Sequence, residues 1–177
     1  TEKKLLGVNP SGGGATNVAD VFSTYLYTGT GAVQTITNGI DLAGEGGMVW
    51  NKLRNHGVIT NSSYYNHWLT DTVRGAGRTA LNSNKTDNPG DHSVDNQISA
   101  FNSDGFDLSS IGSVGSDSTG VSWTFRKAPK FFDVVTYSGN ETSGRLINHS
   151  LGSVPAMIIV KQLTSASNWP VFHKDLG

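Results

Sequence analysis

Residues 22–54 read FSTYLYTGTGAVQTITNGIDLAGEGGMVWNKLR, and the chain repeats them: residues 132–163 read FDVVTYSGNETSGRLINHSLGSVPAMIIVKQL. Phe22, Tyr27, Gly29, Ile36 and Asn38 recur as Phe132, Tyr137, Gly139, Leu146 and Asn148, each 110 positions later. After a one-residue deletion, Met48, Val49 and Lys52 recur as Met157, Ile158 and Lys161, each 109 positions later. The Asn-Trp pair of Asn66-His67-Trp68 is echoed at Asn168-Trp169. A period of about a hundred residues is too long for a solenoid turn and fits a tandem domain. The expectation is one whole unit over 21–128 and the first half of a related, truncated unit over 129–177, joined at Ala128-Pro129-Lys130.

Within the repeat the apolar residues alternate. VFSTYLYT at 21–28 predicts a strand with Phe22, Thr24, Leu26 and Thr28 on one face and Val21, Ser23, Tyr25 and Tyr27 on the other. VQTITN predicts a second strand, ended by the Asn38-Gly39 turn signal, and MVWNKLR a third. Further strands are expected at 68–72, 98–101, 106–108 and 121–125, with long polar loops between them and no convincing amphipathic helix. In the second copy MIIVKQL is a continuous apolar run of the kind found inside a sandwich. About seven short strands per hundred residues predict an all-β fold, a β-sandwich or jelly roll. Phe22, Tyr27, Ile36, Met48 and Val49 are its expected core, together with Trp68.

Composition agrees. Charged residues make up 15% and hydrophobic ones 36%, and 22 glycines join Ser, Thr and Asn in filling the gap, as suits many strands and tight turns. The net charge of -1 gives no footprint for nucleic acid, and no stretch reaches the roughly eighteen apolar residues of a membrane span. With no cysteine, disulfides and thiolate metal sites are excluded.

Residues 1–20, TEKKLLGVNPSGGGATNVAD, stand outside the repeat. Pro10 and the glycines after Ser11 favour an extended N-terminal arm with a flexible joint. Leu5, Leu6 and Val8 are its candidate partner-binding residues, ordered on docking.

Catalytic readings are weak. His67, Asp71 and Arg74 cluster, but a strand would set the first two about 13 Å apart. Asp87, Asp91, His92 and Asp95 lack the alternating spacing and terminal Glu of a calcium loop. The glycine-rich stretches open no helix after a strand, which argues against phosphate binding. No catalytic residue, cofactor or metal is therefore expected. Tyr64 and Tyr65, aromatic residues in the polar loop 55–68, have no echo in the second copy and are candidates for contact with a host surface glycan or a neighbouring subunit.

Several words of sequence also carry a family likeness. FSTYLYTGTG (22–31), NGIDLAGEGGMVW (38–50), HWLTDTVRGAG (67–77), FNSDGF (101–106) and VSWTFRKAPKFFDVVTY (121–137) resemble repeats in bacteriophage tail-fibre-like virion proteins. The resemblance runs from Val21 to Gly177. It implies a non-enzymatic structural protein of the virion, made in the host cytoplasm and attached by its N-terminal arm to a tail or fibre-attachment protein. It also implies a homo-oligomer, a trimer by analogy with fibres. A carbohydrate-binding host-recognition module and a head fibre or capsid decoration protein are the alternatives.

Overall fold

The computed structural model describes residues 16–55, 66–77, 80–87, 97–110 and 118–176. The fold is all-β. The one helix among the described residues, α1 (Val18–Val21), is a single turn capped by Asn17, whose side chain accepts from Ala19 N. The arm expected to run extended to Asp20 therefore ends in a helical turn, because Asn at the cap position supplies the acceptor that this turn needs.

Among the described residues of the first copy eight strands follow: β1 (Phe22–Thr28), β2 (Gln34–Thr37), β3 (Gly47–Asn55), β4 (Trp68–Asp71), β5 (Leu81–Asn82), β6 (Ile98–Asn102), β7 (Gly105–Leu108) and β8 (Thr119–Arg126). They form two antiparallel sheets, one ordered β1-β8-β3-β4-β5 and the other β2-β7-β6. β8, the last strand of the unit, lies between β1 and β3. Its Gly120 faces Tyr27, where a Cβ would come within 2.2 Å of the ring, so only glycine lets the strands close there.

The sheets pack face to face. Tyr27 and Val49 from the larger sheet meet Ile36, Ile98, Phe106 and Leu108 from the smaller, with Ile40 and Leu42 between. Phe106 is fully buried, and a side chain of that size contributes roughly 2–3 kcal/mol by leaving water. A second cluster, Leu53, Trp68 and Ala80, lies along the same face. Asn51, Thr70, Ser122 and Thr124, all buried, project from that face as a polar seam.

Tyr27, Ile36, Val49 and Trp68 are core, as expected. Phe22 and Met48 are not: they lie half-buried on the outer face of the larger sheet. Alternation separates two faces but does not say which one turns inward, and here both faces of the sheet are apolar. Leu26 on the outer face is 59% exposed.

The second copy keeps only β9 (Met157–Ile159) and β10 (Val171–His173), an antiparallel pair. The expectation that MIIVKQL forms an interior strand is not met: strand structure covers three residues, and Met157, Ile158 and Ile159 are all exposed. The topology gives the reason. β9 and β10 stand where β3 and β4 stand in the first copy, and each finds its partner nearby. Residues 132–138 correspond to β1, which pairs only with β8, and no described strand takes the place of β8 for them.

The two copies meet through a short joint. Ala128 and Phe132 form an isolated bridge, Lys127 pairs with Asp133 at 3.0 Å, and Lys130 turns the chain with φ 62°. Phe125 stacks on Phe131 and tilts against Phe22 and Phe132. A second clasp lies further along. Trp169 Nε1 donates to Lys85 O at 2.9 Å, and Lys161 Nζ to Thr86 O at 2.8 Å.

Candidate functional site

The outer face of the larger sheet gathers the aromatic residues that the core leaves out. Trp50 and Trp123 are cross-strand partners on β3 and β8, half-buried, with ring centroids 5.9 Å apart and planes at 69°. The register Asn51–Trp68 places Lys52 opposite His67 one step further on. The His67 ring lies 5.9 Å from Trp50, and Trp50 Nε1 donates to His67 Nδ1 at 3.3 Å. An acceptor nitrogen carries no proton, so this contact requires the neutral imidazole with its proton on Nε2. Burial, and then the Lys52 charge, hold the His67 pKa below its usual value. Burial also lowers Lys52, whose ammonium donates to Leu53 O at 3.1 Å. Chemically the site offers two indole rings, one neutral imidazole and one cation. Rings suit stacking on a sugar face or on a neighbour's side chains. A donor cation suits an acceptor beside them.

This cluster accounts for the repeated lysine. Lys161, in the place of Lys52, lies over the Trp169 ring at 5.7 Å and donates to Ser167 O at 2.7 Å. Val160 N donates to Pro170 O, so the register puts Pro170 opposite Val160 as Trp68 is opposite Asn51. Trp169 therefore takes the place of His67, not of Trp68 as the Asn-Trp echo reads. Each copy thus sets a lysine beside an aromatic ring. The repeat of Lys52 and the alternation of VSWTF and MVWNK were the signals that could have found this face from sequence.

The other candidates fall apart or lie elsewhere. The half-buried Arg74 and the buried Asp71 form an ion pair, Nε to Oδ2 at 2.6 Å, and Asp71 also accepts from Arg74 N at 2.9 Å. That carboxylate caps the turn after β4, while His67 precedes the strand at its other end. Asp87 pairs with Lys85 at 3.4 Å. Asp91, His92 and Asp95 lie outside the described residues, as do Leu5, Leu6, Val8, Tyr64 and Tyr65. Among the described residues no group of three His, Asp or Glu side chains is placed to hold a metal ion.

A family model described as "Domain of unknown function (DUF7483)" matches residues 17–177. The chain belongs to this family. Its boundary falls at Asn17, the cap of α1, and takes in both copies of the repeat. No similarity to a curated protein or to a solved structure was found.

Proposed function

We propose that this chain is a non-enzymatic structural module of a virion appendage, the N-terminal part of a tail fibre or similar projection, anchored by its leader to another virion protein. The supporting observation is the joint between the copies. Instead of a free linker, five residues from Ala128 to Phe132 turn tightly, and an ion pair, a phenylalanine stack and the Trp169–Lys85 clasp tie one copy to the next. Tandem domains with loose linkers move independently, whereas a projecting rod needs joints that resist bending. The likeness of residues 21–177 to tail-fibre repeats supports the same reading. It also supports assembly as a homotrimer, which sedimentation of the purified chain would test.

The anchoring role has a direct test. A chain lacking residues 1–14 is expected to keep the far-ultraviolet spectrum of its β-units and to be missing from purified particles. Incorporation at the normal level would overturn it.

A second reading has its own support. The half-buried Trp50 and Trp123 with Lys52 lie on the sheet face next to the ends of the 55–68 loop, which favours recognition of a host surface glycan. On a glycan array, Trp123→Ala and the pair Tyr64→Ala with Tyr65→Ala are expected to lose the signal. Binding that survives both changes would remove this face and its loop from consideration.

A further inference from the structure

The sheet face that carries Trp50 and Trp123 has one sign of charge. β1, β3 and β8 hold no Asp or Glu, and their charged residues are Lys52, Arg54 and Arg126, in a chain with 13 basic and 14 acidic residues. Arg126 lies opposite Gly47 on the other face and pairs with Glu45 at 3.7 Å. Asp71, the one carboxylate on β4, lies opposite Met48 and is held by Arg74. Lys52 and Arg54 stand towards the other end of β3, Arg54 exposed at the register shift between Leu53 and Asn55. Two donors stand beside the rings. Lys52 follows Trp50 by two residues on the same strand face, a separation of about 6.5 Å. Its ammonium has three N–H donors, of which one goes to Leu53 O. His67, opposite Lys52, accepts from Trp50 at Nδ1 and so keeps its proton on Nε2. Among the described residues nothing accepts from that Nε2.

We propose that this face binds a carboxylated sugar, a hexuronic acid unit of a polysaccharide, with its ring on the indoles and its carboxylate on Lys52 and His67. The inference rests on the glycan reading of the face and names the class of sugar. A pyranose presents an apolar C–H face, which suits an indole. Its carboxylate has two oxygens and one charge. One oxygen takes the Lys52 ammonium and the other the Nε2–H of His67, so one negative charge is set against one cation beside a neutral imidazole. A neutral sugar gains nothing from the charge of Lys52, and a sulfate brings a third oxygen for which neither residue supplies a donor. Arg54 adds attraction from the rim without a fixed bond. The second copy builds a different arrangement. Ile159 and Trp169 take the places of Trp50 and His67, and Lys161 donates to Thr86 O and Ser167 O.

The test uses the full chain on an array of four probe classes: hexuronate oligosaccharides, their methyl esters, neutral hexose oligosaccharides and sulfated hexose oligosaccharides. The strongest signal is expected on the hexuronates. The best of them is then titrated in solution by tryptophan fluorescence. Its methyl ester keeps the ring and removes the charge, and should bind at least about tenfold more weakly, as for the loss of one charge-assisted hydrogen bond. Raising sodium chloride from about 0.05 to 0.5 M should weaken binding of the acid and not of the ester. Lys52→Met should reduce the affinity for the acid to that for the ester, and Lys52→Arg should restore a preference for the acid. Urea midpoints show whether each variant keeps its fold, and the acid–ester comparison on the unaltered chain needs no variant. Equal binding of acid and ester, or a preference for neutral or sulfated sugars, overturns the inference and leaves the glycan reading standing. Silence on all four classes overturns both. An acid–ester difference that survives Lys52→Met puts the carboxylate elsewhere and overturns the assignment.

Discussion

Ile36 and Leu146 hold the same place in the repeat, yet one is 1% exposed and the other 88%. Tyr27 and Tyr137 differ in the same way, at 7% and 52%. Side-chain chemistry is nearly the same within each pair, so the difference lies in partners. β1 and β2 take their ladders from β8 and β7, strands that come about seventy to a hundred residues later in the unit. β3 and β4 find each other across one loop, and their counterparts β9 and β10 do so too. A strand in this fold is thus a property of a pair of segments, and a sequence repeat reproduces structure only where it reproduces both members.

The sharpest way to break that comparison is to truncate both members of one repeat pair. Ile36→Ala leaves a cavity in the centre of the sandwich and is expected to cost about 2–5 kcal/mol. Leu146→Ala removes a side chain from solvent and should stay within about 0.5 kcal/mol. Urea unfolding followed by tryptophan fluorescence reports on the first copy through Trp50, Trp68 and Trp123. Equal losses would mean that the second copy buries Leu146 and that its core is complete.

The same logic explains what the sequence could and could not disclose. Alternation in FSTYLYT, VQTIT and MVWNKLR is enough to place β1, β2 and β3, because period two is a local property. The two-residue β5 is too short to carry a period, and it exists because Trp68 and Leu69 pair with it. The inward face of β1 was not legible: Phe22 and Tyr27 are equally suited to a core, and Tyr27 is chosen by the glycine opposite it on a strand ninety residues away. The ring face was hidden for a related reason. Trp50, His67 and Trp123 lie on three different stretches, and only register brings them together.

A smaller effect is expected at the joint. Asp133 has a serine, Ser23, as its counterpart in the first copy, so its carboxylate serves the junction and not the repeat. Burial acts to raise its pKa, but Ser150, through its N–H and hydroxyl, and Lys127 outweigh burial and pull it down to about 2. A carboxyl lowered in the folded state stabilises above its unfolded value of 3.8 and loses that contribution as pH falls towards 2. Acid titration, read by exchange at Ser150, should show protection lost across that window. Asp133→Asn should remove the dependence and cost about 1–2 kcal/mol, as for one charge-assisted hydrogen bond. A pH response that survives in the variant would trace it to another titratable group and remove the Asp133 carboxylate as its source.

The smallest effect separates the two lysine–aromatic pairs. His67 can take up a proton and its counterpart Trp169 cannot, so of the two pairs only the one in the first copy carries a titrating ring. His67 titrates below 6.5, mainly through burial and then through Lys52. Below 6.5 the unfolded chain therefore binds this proton more readily than the folded one, and stability falls as pH drops through that value until the folded imidazole is itself protonated. Protonation also ends the acceptance from Trp50 Nε1. Lys52→Met should move the titration of His67 back towards 6.5 without reaching it, since burial, the larger cause, remains. His67→Trp installs the arrangement of the second copy and should remove this fall of the urea midpoint below pH 6.5. Nuclear magnetic resonance titration of the imidazole checks the direction. A His67 that titrates at or above 6.5, or that ignores Lys52→Met, would show that the two pairs differ in ring shape and not in charge.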